Sequence, residues 1–566
     1  MKIIKRDGRI VDYDREKIVI AIEKANNEVR DEDKIARKDI DNIIDYIEKL
    51  DKKRMLVEDI QDIIEEKLMD KKKFNLAKKY IIYRYTRSLI RKTNTTDSSL
   101  LALLKNKNAS SDEYLVANKQ RETMAGEVSK DLAYRILLPK NVTEYEKENL
   151  IKFCNVEYFT EPIIESSYVN IKKMLENGIV LNGIKIEKPK NFQSACNVIV
   201  EVIASLLSLQ TGELYIDFSD LFEYYYLSLN KRINLYLSIM GDSITKDEII
   251  SLAKNRTFDE VRSGLQTIFY ELNTITLSNA AIPRINFLVD TDEIMDPIEE
   301  HIIFEFIKQK NQGIVDENNN KILTEYPKII YKITKQYDYI LDELVNGNSS
   351  FIILNETSYL NFKSHIKKFK QGTIAINLYA IAQKYKNNFL EKLKETLEVV
   401  FEGFLCINHN LKGVQAGKSP VHWQYKGISS LKKDELIDKY LKSTYSYLEL
   451  SVLGFESALK TLKDDSIKSD VIKIIDDYIK NWNKINTFAI VTSNICNKYD
   501  MEQLLKRDKE LYSKTTIDTY IDNERFMEES YYKCDFMFNK FISLNSIKDN
   551  YIYLNKKEEN YEVNPK

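Results

Sequence analysis

Glycine and proline are scarce in this chain, 15 and 8 residues out of 566, which excludes collagen-like repeats and argues against long disordered stretches. Cysteine and histidine are scarcer still. The five cysteines (Cys154, Cys196, Cys406, Cys496 and Cys534) stand far apart, the nearest two being Cys496 and Cys534, so neither a CxxC pair nor a disulfide framework can be read. The four histidines (His301, His365, His409 and His422) give no HxH or HxxxH spacing. Zinc and iron–sulfur centres show in a sequence as short-spaced ligand pairs, so no metal site is expected. Glycine is also unevenly placed. Gly454 is the last one, and residues 455–566 contain none.

An excess of either charge is missing too. Lys+Arg number 85 against Asp+Glu 87, a net charge of −2, which predicts no sequence-independent attraction to nucleic acid or to an anionic membrane. No apolar run reaches the length of a membrane span, and the opening Met1-Lys2-Ile3-Ile4-Lys5-Arg6-Asp7 turns charged before the apolar core of a signal peptide can form. The expectation is a cytoplasmic protein. What is present, 43% hydrophobic and 30% charged residues, suits a globular chain long enough for a large domain and a smaller one.

Residues 1–92 read as the smaller one. Two short strand-like runs flank a turn at Asp7-Gly8, a hairpin signal. Helical spacing follows in three stripes: Ile18, Ala21, Ile22 and Ala25, then Ile60, Ile63, Ile64 and Leu68, then Leu76, Ala77, Tyr80 and Ile81. A hairpin capping a helical bundle is the predicted arrangement. Residues 93–112, rich in Thr, Ser and Asn, read as a linker. From 113 to 566, strand-like runs such as Thr373 to Leu378 alternate with helical ones such as Leu390 to Phe404, the pattern of an α/β domain.

Around the hairpin, Lys5, Arg6 and Lys17 gather cations, and Gly8 lets a ligand approach the backbone closely, which suits a polyphosphate. The whole segment resembles the ATP-cone module. The match runs from Lys5-Arg6-Asp7-Gly8-Arg9 and Tyr13-Asp14-Arg15-Glu16-Lys17-Ile18, through Val57-Glu58-Asp59-Ile60-Gln61-Asp62, to Leu76-Ala77-Lys78-Lys79-Tyr80. The resemblance implies ATP or dATP bound as an allosteric effector, with Mg2+ accompanying it, at Lys5, Arg6, Asp7, Gly8, Lys17, Ile18, Val57 and Gln61.

Beyond the linker, Lys119-Gln120-Arg121-Glu122-Thr123-Met124-Ala125-Gly126-Glu127, Leu137-Leu138-Pro139-Lys140-Asn141, Asn273-Thr274, Gly372 to Leu378 and Leu411-Lys412-Gly413-Val414 resemble the anaerobic (class III) ribonucleoside-triphosphate reductases. The resemblance implies a ten-stranded α/β barrel of the ribonucleotide reductase and glycyl-radical type. It also implies a radical cysteine, a second cysteine opposite it, a glycyl radical near the C-terminus and a zinc module, and these are what this sequence departs from. The positions aligned with the two cysteines are Asn348 and Ser166, the family's His-x-His-Asp is Lys152-Phe153-Cys154-Asn155, the phosphate loop shortens to Thr492-Ser493, and no glycine follows Gly454. Asn377 aligns with an active-site asparagine, although a strand-end hydrogen bonder would look the same.

The expectation drawn from these departures is a catalytically inactive, nucleotide-responsive regulatory or assembly protein, not an enzyme, with no catalytic residues, zinc or glycyl radical. It would form a homodimer or higher homo-oligomer, or pair with a genuine reductase subunit. The alternatives are one subunit of a split reductase, or a self-assembling structural protein.

Overall fold

The computed structural model describes residues 2–4, 10–27, 29–50, 54–82, 117–240, 244–275, 277, 283–315, 318–322, 324, 326–332, 339–340, 343, 350–354, 356–493, 498–512, 536–537, 553–557 and 560–564. The chain divides into two units, 1–120 and 121–566, and each is described by itself. The linker expected at 93–112 lies outside the described residues.

In the first unit β1 (Lys2–Ile4) pairs antiparallel with β2 (Ile10–Asp12), Ile3 facing Val11. The turn between them, with its Asp7-Gly8, is outside the described residues. The hairpin is not alone: β3 (Arg54–Leu56) joins the other side of β1 in parallel, Ile4 facing Leu56. A parallel pair between distant segments has no turn to announce it, so the sequence shows two strands where there are three. Helices α1 (Arg15–Asn26), α2 (Arg37–Lys49) and α3 (Val57–Asp70) pack with a fourth over residues 74–82. Asp14 starts α1 by accepting from the Glu16 amide at 3.1 Å, satisfying one of the free N–H groups of the first turn.

Spacing decides which faces turn inward. On α2, Ile40, Ile43, Ile44 and Ile47 are all buried, a stripe at three- and four-residue steps in which each side chain contributes about 1.5–3 kcal/mol. On α1 the buried set is Val19, Ile22 and Ala25, with Ile18 and Ala21 only partly covered at its edge. The expected stripe is therefore turned by one residue.

The second unit begins its sheets with β4 (Ile151–Phe153) and β5 (Ser167–Val169), followed by a hairpin of β6 (Ile179–Leu181) and β7 (Ile184–Ile186). Next come β8 (Leu214–Asp217), β9 (Ile285–Val289), a second hairpin of β10 (Ile314–Val315) and β11 (Lys321–Ile322), and then β12 (Lys328–Lys332) and β13 (Ser350–Leu354). The chain continues through β14 (Phe369–Asn377), β15 (Ser446–Leu453), β16 (Ala489–Ser493) and β17 (Phe536–Met537). A six-stranded sheet runs β17-β13-β12-β9-β8-β5 and a four-stranded one β16-β15-β14-β4, ten strands together. All neighbours are parallel except β17 on β13 and β4 on β14. An antiparallel bridge from Ser166 to Lys370 joins the sheets, so their parallel halves run in opposite directions. This is the α/β barrel expected, with β14 reaching back to Phe369 and the following helix, Phe389–Asn410, longer than the sequence suggested.

Strand alternation sorts the side chains of the first half into an outer and an inner set. Phe287 and Val289 of β9, and Ile329 and Tyr331 of β12, pack outward against the helices Phe192–Leu207 and Pro297–Gln312. Gly264, on the helix Lys246–Thr274, permits close helix packing, since a Cβ there would lie 2.8 Å from the Cys196 Sγ. Tyr215, Leu288 and Ile330 point the other way, toward Tyr359, Phe362 and Ile366 of the helix Glu356–Ile366. That helix also faces the second sheet, where His365 packs at a tilt against Tyr447 with centroids 4.0 Å apart. It therefore fills the space between the two halves.

Candidate functional site

The nucleotide positions expected in the first unit divide into described and undescribed. Lys5, Arg6, Asp7 and Gly8 lie outside the described residues. Lys17 is on α1, its side chain 81% exposed and 3.2 Å from Asp14. Ile18 and Val57, from α1 and α3, both pack at the rim of the same core. Gln61 lies one turn along α3 from Val57 and is half-buried. The pairing of Ile4 with Leu56 sets the end of β1 beside the point where Val57 opens α3. The residue before that helix, Leu56, makes no side-chain cap, and the first backbone N–H groups of a helix so begun suit an anion.

Ion pairs surround this unit at its surface. Arg15 holds Asp45 and Glu48 of α2 at 2.9 Å each, and Arg37 holds Glu23 at 2.5 Å. Burial, with Glu48 adding to it, pushes the Tyr13 hydroxyl up to about 12.

Inside the barrel the charges sit in two layers, above and below the apolar layer of Tyr215, Leu288 and Ile330. The first layer lies where the sheets meet. Lys370 Nζ reaches Glu165 at 2.9 Å and Glu449 at 3.2 Å, and Glu449 accepts from the Ser493 hydroxyl at 2.6 Å. Beside it, Glu213 accepts from Tyr215, Tyr326 and Asn286 and pairs with Lys328 at 3.4 Å. Burial alone would raise the Glu213 carboxyl, but Lys328, the two tyrosine hydroxyls and Lys370 outweigh it and pull it down to about 2. The second layer is at the far ends of the same strands. There Lys363 pairs with Asp217 at 3.0 Å and Glu293 at 2.9 Å, and Lys332 with Asp290 and Asp292.

Ser166, expected opposite the radical position, has a buried hydroxyl that accepts from the Glu213 amide at 3.0 Å. Asn348 lies outside the described residues. Asn377 caps the helix Leu378–Lys384 by accepting from the Ala380 amide and donates to Asp508 at 3.0 Å, a strand-end hydrogen-bonding role. Lys152 points inward from β4 to Glu146 at 3.2 Å and Asp500 at 3.5 Å. Cys154 and Cys196 are buried and Cys406 partly so, while Cys496 and Cys534 are outside the described residues.

The residues sequence reading passed over are Lys370, Glu449, Glu213 and Lys328. A signal existed for one of them. Strands of a parallel sheet covered on both faces read as continuous apolar runs, so Lys328-Ile329-Ile330-Tyr331-Lys332, with lysine at both ends, marks an inward face that carries charge.

Comparison with known proteins agrees with this architecture. Residues 1–89 match the ATP cone domain family, and residues 107–368 match the family described as anaerobic ribonucleoside-triphosphate reductase. The curated anaerobic ribonucleoside-triphosphate reductase of Haemophilus influenzae is 23% identical, the match covering 88% of this chain and 78% of that protein. That of Enterobacteria phage T4 is also 23% identical, over 73% of each. Over 16% of this chain and 12% of its own length, the vitamin B12-dependent ribonucleoside-diphosphate reductase of Thermoplasma acidophilum is 38% identical. Among solved structures, the anaerobic ribonucleotide reductase of Thermotoga maritima in complex with dATP and CTP superimposes with a TM-score of 0.53 at 11% identity, over 76% of this chain and 80% of that one. These matches overturn the expectation that the chain is not an enzyme. The relatives that span most of it bear the name of a reductase, and the departures read from local alignment do not outweigh that: Asn348 is outside the described residues, and Ser166 is seen only in a backbone hydrogen bond.

Proposed function

Since the chain belongs to the anaerobic ribonucleoside-triphosphate reductase family and begins with an ATP cone, we propose that it is a reductase-family protein governed by ATP or dATP bound at residues 1–92. The triphosphate, with Mg2+ on it, is held by Lys5, Arg6 and Lys17, with Asp7, Gly8, Ile18, Val57 and Gln61 around the nucleoside. Residues 93–112 act as the linker to a barrel unit over 113–566. The observation that supports this reading is the parallel pairing of β1 with β3, which sets Ile4 beside Leu56, the residue before α3. Charge-assisted contacts and free backbone N–H groups then converge on one anion.

A second reading concerns the chemistry. No glycine follows Gly454, and Gly454 itself is the left-handed residue (φ 73°) before the helix Phe455–Leu462. Residues 455–566 thus offer no glycine for a glycyl radical; the second reading is one subunit of a split reductase. Assembly with itself or with another reductase subunit is the expected output of the cone. Calorimetric titration with ATP and with dATP, with light scattering on the same samples, tests the first reading. Absence of binding at millimolar nucleotide would remove it.

A further inference from the structure

The layer where the two sheets meet contains three carboxylates, Glu165, Glu213 and Glu449, and two lysines, Lys328 and Lys370. Glu449 is 2% exposed, and the side chains of Lys370 and Glu165 are 11% and 12% exposed, while Glu213, with 28% of its side chain exposed, is paired with Lys328. An unbalanced charge at such depth costs several kcal/mol; a buried group sheds it by changing its protonation instead. With all five ionised the described residues of the layer would carry one negative charge too many. One carboxyl must therefore hold a proton.

We propose that the proton resides on Glu449, making it a neutral carboxylic acid and a proton donor facing the interior of the barrel. Its surroundings agree. From β14 Lys370 and Thr373 face it, the register placing Thr373 directly opposite, and from the residues before β5 comes Glu165, which shares Lys370 with it. On its own strand its same-face neighbours are Tyr447 and Ser451, and from β16 comes Ser493. His365, from the helix Glu356–Ile366, supplies no charge, because burial and then Lys370 hold its ring down to about 3. Burial is also the largest effect on Glu449, raising it, with Glu165 adding to the rise and Lys370 and Ser493 opposing it in part.

Two atoms in this neighbourhood have no hydrogen-bond partner among the described residues, Glu165 Oε2 and Ser451 Oγ. Ser451 aligns with Ala375 and Ser493 on the adjoining strands, so small side chains border the acid on the same inner face. A hydroxyl-bearing ligand there would meet a donor on Glu449 and an acceptor on Glu165. On the family reading that ligand is the ribose of a ribonucleoside triphosphate, but the proton itself does not depend on that reading.

The test uses the whole chain and the substitutions Glu449→Gln and Glu165→Gln. Infrared difference spectra at neutral pH should contain a protonated-carboxyl band that Glu449→Gln abolishes and Glu165→Gln retains. A band missing from the wild type, or removed by Glu165→Gln alone, would overturn the assignment. Thermal unfolding gives a readout independent of the spectra. A carboxyl raised in the folded state supports stability fully below the ordinary carboxylate range and loses that contribution as pH rises toward its folded value. The wild type should therefore lose stability relative to Glu449→Gln as pH rises, and a Gln variant less stable than wild type at neutral pH would contradict the neutral acid. Adding CTP should move the band, since a donor to a bound hydroxyl feels its ligand. An unmoved band, with ATP binding at the first unit intact by calorimetry, would reject the donor role while leaving the nucleotide reading in place.

Discussion

In the first unit Arg15 reaches Asp45 and Glu48 with 39% of its side chain still exposed, whereas in the barrel Lys370 holds Glu165 and Glu449 at 11% exposure. Both are one cation among carboxylates, Arg15 reaching Asp41 as well at 3.4 Å. The setting makes them different interactions. Water and salt screen the first, so its contribution is about 0–1 kcal/mol. In the second, removing the lysine strands a buried carboxylate, at a cost of about 3–5 kcal/mol. The first unit can thus rearrange its surface charges around a phosphate cheaply, and the barrel cannot lose its buried lysine.

The sharpest way to break that contrast is Lys370→Met, which leaves Glu165 and Glu449 without their shared cation. Urea unfolding should register a loss of about 3–5 kcal/mol, or a chain that no longer folds; a variant within 1 kcal/mol of wild type would mean that the layer is open to water. Next in size is the pair Lys5→Ala with Arg6→Ala. Calorimetry should find ATP binding weakened by at least about tenfold, or roughly 1.4 kcal/mol, with the unfolding of the barrel unchanged. Arg15→Ala should cost at most about 1 kcal/mol, and the difference should fade in high salt; persistence at high salt would place Arg15 with the buried pairs. Smallest is Tyr359→Phe. The Tyr359 hydroxyl is buried without a hydrogen-bond partner among the described residues, so its removal should leave the unfolding midpoint unchanged or slightly raised.

The same contrast explains what the sequence could reveal. Local signals served the first unit well: Ile60, Ile64 and Leu68 are buried as their spacing implies, and so are Leu76, Ala77 and Tyr80. The exposed fringe was harder, because Ile81 belongs to its stripe by spacing yet stays 37% exposed. In the barrel, the run from Thr373 was legible as a strand, while its extension to Phe369 was hidden behind Lys370 and Gln371, polar residues that look like a strand's end. Both are buried, Gln371 by hydrogen bonds to Ser446 and Asn408. The charged layers as a whole were out of reach, since Glu165 and Glu449 acquire meaning only through Lys370, and no spacing rule links positions brought together by barrel closure. Absences proved the weakest guide. Missing thiols and glycines suggested a chain without activity, and the breadth of its kinship with reductases overruled them.

The seam between the sheets also has a consequence for how the chain acquires its shape. Glu165 and Thr373, which hydrogen bond across it, stand 208 residues apart, and the helix that fills the interior, Glu356–Ile366, is made only just before the second strand of that seam. During synthesis the first half must therefore wait with Tyr215, Leu288 and Ile330 uncovered until the helix Glu356–Ile366 has been made. Contacts so remote in sequence slow folding, and an unfinished sheet with a bare apolar face is the species most prone to aggregate. A ribosome pause or a chaperone acting before β14 emerges is therefore expected to change the yield of this protein.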